Sequence, residues 1–253
     1  MSINKSFAHG LEILFLFDTS TRTLTASQIS KRLGYNKSKT YRLLRTLIKY
    51  GLLKNQETTQ YSLGMNAVRI GLMALKSLNI NQIAQPIMRE LSHITHETIL
   101  LTAINGTVGT CLERIDSSQV IRYASFQPGE NFSLHCGATG KVMMAYLPEG
   151  VWDRIIDKGL IRYTRNTITD PEVLKAHLRE IRGTGYAISD REMSPDCKGA
   201  AAPIFEASGQ LAGGLGIAAP AYRISRKKLM SWAKLVVEKA QEISVGLGLM
   251  PQN

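Results

Sequence analysis

Between residues 21 and 63 the chain presents helical and extended signals in an order that few small folds satisfy. Thr25 is placed to cap a helix whose buried side carries Ile29 and Leu33. Gly34 and Tyr35 break that helix, Asn36 can cap the next one from Lys37 to about Tyr50, and Gly51 stops it. Leu52–Asn55 and Gln60–Leu63 read as two short strands joined by the polar loop Gln56–Thr59. An earlier helix is expected over Lys5–Phe17, with Phe7, Leu11, Leu14 and Phe15 on one face, followed by a connection at Thr21–Leu24. Three helices followed by a hairpin is the order of a winged helix-turn-helix, here over residues 1–64.

Charge supports that reading. Residues 1–63 hold ten basic and three acidic side chains, a net of +7, while the whole chain carries +11. A small, strongly basic head implies a polyanionic partner. In the third helix Tyr41, Leu44, Leu47 and Ile48 are expected to face the core. Ser38, Arg42, Arg45 and Lys49 recur at steps of four, three and four on the opposite side, flanked by Lys39 and Thr46. Such a face combines phosphate-seeking charge with short hydroxyls that reach base edges, and a major groove admits the helix. Lys37, Ser38 and Thr40 stand at the helix start, near a phosphate favoured by its dipole. Lys54 and Gln60 on the wing are placed to touch the DNA backbone. A solvated amphipathic helix would show the same stripe, but not between a capped helix and a wing.

Downstream, Met65, Val68, Leu72 and Leu75 form an apolar stripe on a linker helix over 65–79. Ile80, Ile83, Ile87, Leu91 and Ile94 form a second stripe, to be covered by the first or by a second subunit. From Glu97 the signals become extended: Thr98–Ile104, Val108–Ile115 and Val120–Phe126, then Tyr186–Asp190, Gly199–Phe205 and Leu211–Ala219. Helices are expected near Gly140–Tyr146, Val151–Lys158 and Glu172–Arg182, and a last one is capped by Ser225. Residues 80–253 therefore read as an α+β domain around an antiparallel sheet.

Two features of this domain suggest a ligand. In Leu211–Ala219 one strand face carries Ala212, Gly214, Gly216 and Ala218, and Gly199, Ala200 and Ala201 are small as well. A bare sheet face receives either a ligand or a closely packed helix. His135–Lys141 is a glycine-containing turn into a helix, whose backbone N–H groups with Lys141 suit a carboxylate, or simply form a cap. It lacks the pattern of a phosphate-binding P-loop. Asp190 and Glu192 have no nucleophile or second acidic pair beside them, so they read as loop anchors rather than catalytic groups. Cys111, Cys136 and Cys197 show no metal-ligand spacing and read as buried thiols in a reducing cytoplasm. The five histidines form no metal motif, and no signal peptide or membrane span is visible. No catalytic or metal site is expected. An enzyme or metabolite-binding module with a basic N-terminal domain is the rival reading, and an architectural DNA-binding protein a third.

Three runs, residues 36–53 (NKSKTYRLLRTLIKYGLL), 134–148 (LHCGATGKVMMAYLP) and 182–225, resemble the IclR family of transcription regulators over nearly the full length. The resemblance implies a winged helix-turn-helix, a linker helix and a GAF-like effector-binding domain. It implies homodimers or homotetramers on a partly palindromic double-stranded DNA operator, a small organic-acid effector and no cofactor. The family's effector positions fall on Ile121, Ala124, Ala138, Thr139, Ser189, Gly199, Gly216 and Ala218, with Gly140 and Asp190 adjoining. Where relatives place Asp, Cys or Ser side chains, this chain has Ser189, Gly199, Gly216 and Ala218. The expected effector is therefore a less polar acid, aromatic or longer-chain, held at its carboxylate by the 138–141 turn.

Overall fold

The computed structural model describes residues 4–18, 21–56, 59–77, 79–122 and 126–250. The chain divides into two compact units, residues 1–78 and 79–253. The first contains α1 (Lys5–Leu14), β1 (Leu24–Thr25), α2 (Ala26–Leu33), α3 (Lys37–Lys49), β2 (Leu53–Gln56), β3 (Gln60–Leu63) and α4 (Met65–Ser77).

Local chemistry sets the ends of these helices. Thr25 and Gln28 form a reciprocal capping box at α2, and Gly34 stops that helix in the left-handed region at φ 67°. Asn36 Oδ1 accepts the Lys39 N–H at 2.8 Å to start α3. Each cap satisfies donors that the helix itself leaves unpaired, worth about 1 kcal/mol. The strands form an antiparallel sheet in the order β1-β3-β2. Ile13, Leu24, Ile29, Leu44, Leu47, Leu53 and Tyr61 fill the space beneath it.

Two expectations fail here. α1 ends at Leu14, and Phe7 and Phe15 are 68% and 81% exposed, while Gly10 and Ile13 are buried. The face that packs is chosen by α3, which approaches closely at Gly10 beside Leu47. Tyr41 is 51% exposed rather than in the core, because Leu44 and Leu47 occupy the inward side of α3. On α4, Met65, Val68 and Leu72 are exposed within their own unit; the Leu75 side chain lies outside the described residues.

The second unit is built on a six-stranded sheet ordered β6-β5-β4-β9-β8-β7. Its strands are β4 (Thr98–Asn105), β5 (Val108–Ile115), β6 (Asn131–Ser133), β7 (Ala187–Asp190), β8 (Cys197–Phe205) and β9 (Leu211–Pro220). Every neighbouring pair is antiparallel. α5 (Asn79–Thr95) and α9 (Arg226–Gly246) cover one face through a core that includes Met88, Leu91, Leu101, Leu215, Trp232 and Val236. α6 (Ala138–Ala145), α7 (Glu149–Ile156) and α8 (Pro171–Thr184) cover the other, around Met143, Trp152, Leu174 and Leu178.

The stripe on α5 turns by one residue from that expected: Ile80, Ala84, Met88 and Leu91 are buried and Ile94 is exposed. It packs on the sheet of its own unit. The strand expected over Val120–Phe126 is replaced by β6, which takes the edge beside Val108–Thr110. Residues 118–121 form a bend, and 123–125 lie outside the described residues.

Candidate functional site

The outward face of α3 gathers Ser38, Arg42, Arg45, Thr46 and Lys49 along one shallow concavity, as their spacing requires. Tyr41 joins them, a residue that the apolar pattern assigned elsewhere. Lys37 is exposed at the helix start, and the Lys39 ammonium lies 3.5 Å above the Tyr35 ring. Thr40 departs from expectation. It is 1% exposed and its hydroxyl donates to the Asn36 carbonyl at 3.0 Å, so it braces the helix start from inside. Lys54 is exposed on β2 opposite Ser62, and Gln60 is exposed on β3.

In the second unit the strand register builds a floor. Ser189 pairs with Gly199, and Gly199 with Ala218, so three small residues stand in one row across β7, β8 and β9. Helix α6 crosses this sheet where glycine permits. A Cβ on Gly216 would overlap the Thr139 methyl, and one on Gly214 would lie 3.2 Å from Met143 Cγ. The bare strand face thus serves both purposes: a helix fills it at Gly214 and Gly216, and a cavity of about 50 Å³ remains at Gly199 and Ala218.

Ala138, Thr139, Ser189, Gly199 and Ala218 line that cavity. Gly137, Cys136 and Leu100 adjoin them, and Phe126, Met193, Cys197 and Ile217 complete a wall that is mostly apolar. α6 begins at this cavity with no side chain capping its N-terminus, and Gly137 before it has φ 77°. All eight residues of α6 are buried, so its first N–H groups point their partial positive charge into apolar surroundings.

Four expected positions are not part of the wall. Gly216 is covered by Thr139, as above. Gly140 packs on backbone, where an added Cβ would come 2.7 Å from the Ser133 carbonyl. Asp190 is exposed and ion-paired with Lys198 and Arg191, each at 3.2 Å. Ile121 is 64% exposed, and its carbonyl accepts from Arg223 Nη1 at 2.7 Å while the same guanidinium grips Glu97. Ala124 lies outside the described residues.

Lys141 also differs from its expected part beside an anion. It is 1% exposed, with Nζ 2.5 Å from Glu192 Oε1, 3.0 Å from the Ile188 carbonyl and 3.1 Å from His177 Nε2. Its charge is spent on tying α6 to the segment after β7. Because Lys141 donates, His177 Nε2 accepts, which makes this imidazole neutral. Burial lowers the His177 pKa, with the Lys141 charge acting in the same direction. Burial also lowers the pKa of His135. It pushes the Cys136 thiol up to about 12, helped by the Glu192 carboxylate. That thiol is an apolar wall and not a nucleophile.

Phe126, Met193, Cys197 and Leu100 were not singled out as cavity residues from the sequence. Only the register signalled Cys197, which opposes Pro220 next to the small-residue row. Among the described residues no cluster could hold a metal ion, and no helix is long and apolar enough to cross a membrane.

Comparison with known proteins agrees with both units. The IclR helix-turn-helix profile matches residues 6–57, and that of the bacterial transcriptional regulator IclR C-terminal region matches residues 72–245. The HTH-type transcriptional regulator BhcR of Paracoccus denitrificans is 32% identical over 96% of this chain and 87% of its own length. The crystal structure of an IclR transcriptional regulator from Alicyclobacillus acidocaldarius superposes with a TM-score of 0.86 at 26% identity, covering 98% of this chain and 100% of that one. An IclR homologue from Microbacterium hydrocarbonoxydans, solved with 4-hydroxybenzoate, shares the fold at a TM-score of 0.84 and 22% identity, covering 96% and 98%. Both units thus match the parts of one known architecture, and the chain belongs to the IclR family of DNA-binding transcription regulators.

Proposed function

We propose that this regulator is switched by a small, weakly polar organic acid bound between the start of α6 and the Ser189–Gly199–Ala218 row. The observation that carries the proposal is a buried, uncapped helix start facing a mostly apolar cavity. A carboxylate is stabilised there by backbone N–H groups, with the Thr139 and Ser189 hydroxyls beside it. The rest of the acid meets Leu100, Phe126, Met193 and Ile217, which favours an aromatic or longer aliphatic body.

The head, residues 1–64, reads a duplex operator. Arg42 and Arg45 contact bases from α3, Ser38, Thr46 and Lys49 assist, and Lys37, Lys39 and Lys54 hold phosphates. Residues 65–79 act as the linker and 80–253 as the sensor. The exposed apolar residues on α4 suit a second copy of the chain, so the working form is a homodimer, or a homotetramer made of two, on a partly palindromic operator in the cytoplasm. Half-sites then lie about 34 Å or a multiple apart, and acid binding changes the spacing of the heads.

The test is to select an operator from a random duplex library with the full chain. Its affinity is then followed with and without a panel of acids that includes 4-hydroxybenzoate. Arg42→Ala lowers affinity about tenfold, in the range for a lost base contact. Each phosphate contact adds about −0.9 to the log–log salt slope. Unchanged affinity removes Arg42 from the reading face. A panel in which no acid moves either operator affinity or melting temperature refutes the effector.

A further inference from the structure

We infer that Met193 decides which acids this sensor admits, its side chain acting as a movable stopper across the start of α6. The inference rests on the effector reading above.

The cavity of about 50 Å³ has room for about two waters. A carboxylate with a carbon or two fills such a space, and a ring requires one wall to give. Most walls are fixed. The floor is a hydrogen-bonded row of Ser189, Gly199 and Ala218 with almost no side chain to move. The start of α6 is wedged against the sheet at Gly216 and against backbone at Gly140. The Phe126 ring is stacked on Phe132 at 4.5 Å.

Met193 differs. It is only partly buried, and its Cε would lie 3.7 Å from a Cβ on Gly137, so the side chain reaches across the helix start. The backbone leading to it is held from three sides. Glu192 is ion-paired to Lys141, and its carbonyl accepts from the Thr167 and Thr164 hydroxyls at 2.7 and 3.2 Å. The Arg191 carbonyl accepts from Thr164 at 2.6 Å. The Arg191 N–H donates to the Cys197 carbonyl at 2.9 Å. A rigid approach ending in an unbranched thioether with three rotatable bonds sets the size of the space by a rotamer and not by a loop movement. Turned in, it leaves room for a very small acid. Turned out, it presents sulfur to the edge of a ring.

The experiment uses the full chain and a graded series of carboxylates, acetate to octanoate with benzoate and 4-hydroxybenzoate, binding being measured by calorimetry. In Met193→Ala three non-hydrogen atoms are removed. The best-bound acid becomes about three carbons longer than for the unmodified chain. One buried methylene counts about fourfold, so the longer acids gain roughly ten- to fiftyfold over acetate. Met193→Phe moves the optimum to shorter acids, and Met193→Leu leaves it in place. Circular dichroism and a cooperative unfolding transition without acid show that each variant is folded. An identical size optimum in all four proteins overturns the role of Met193 while leaving the effector reading intact. Absence of binding by every acid to every variant overturns the effector reading and this inference with it.

Discussion

Removing Lys141 tests how the sensor unit is held together. Its ammonium is 1% exposed and reaches three acceptors: Glu192 Oε1, the Ile188 carbonyl and His177 Nε2. Lys141→Met keeps the stem and deletes the charge. Glu192 then loses the partner of Oε1, and its Oε2 is already buried without a hydrogen-bond partner. An uncompensated buried carboxylate of this kind costs about 3–5 kcal/mol. For a unit of this size 1 kcal/mol moves the midpoint by about 2–4 °C, so the unfolding transition falls by on the order of 10 °C. Replacing both members, Lys141→Met with Glu192→Leu, recovers most of that loss, because the pair itself gains little over well-packed apolar groups. Differential scanning calorimetry and urea titration of the unmodified chain, Lys141→Met, Glu192→Leu and the double variant complete the double-mutant cycle. A single variant within 2 °C of the unmodified chain, or a double variant no better than Lys141→Met, would refute the assignment of Lys141 and Glu192 as one coupled unit.

Two further outcomes follow from the same site. His135 and His177 are held neutral, chiefly by burial, below the ordinary value of 6.5. The unfolded chain therefore takes up protons first on acidification. Stability is fully present above pH 6.5, declines as the pH falls below it, and levels off beneath the folded values. Urea midpoints from pH 8 to 5 should follow that curve and flatten in the His135→Gln/His177→Gln variant; an unaltered slope would remove these histidines as its source. The thiols of Cys111 and Cys136 are raised to about 12, mainly by burial. Both should resist iodoacetamide at pH 8 in the native protein and react in urea, as read by mass spectrometry, whereas rapid native alkylation of Cys136 would contradict its place in the wall.

Much of this protein is written locally. Thr25, Asn36 and Ser225 cap the helices they were expected to cap, because a cap is an interaction over three residues and needs no distant partner. Gly34 ends α2 for the same kind of reason. The strand alternation in 211–219 put Gly214, Gly216 and Ala218 on one bare face, whereas Ser189 was pointed to only by the family resemblance and joined to Gly199 and Ala218 only by the register. The basic stripe of α3 also follows from helical period alone.

What the tertiary structure decided is which neighbour each side chain meets. Thr40 and Tyr41 are adjacent in sequence, yet packing buries the threonine and leaves the tyrosine on the outward, basic face of α3. Gly140 and Gly216 are small in order to admit backbone and a methyl group, and Ala138 and Gly199 remain at the cavity. Lys141 is drawn inward by Glu192, fifty-one residues away, and does not face the cavity at the start of α6. Composition and period determine which residues can be inside and which helix ends are polar. The assignment of a glycine to a ligand or to a helix, and of a lysine to an effector or to a buried carboxylate, depends on long-range register and close packing, which local sequence does not encode.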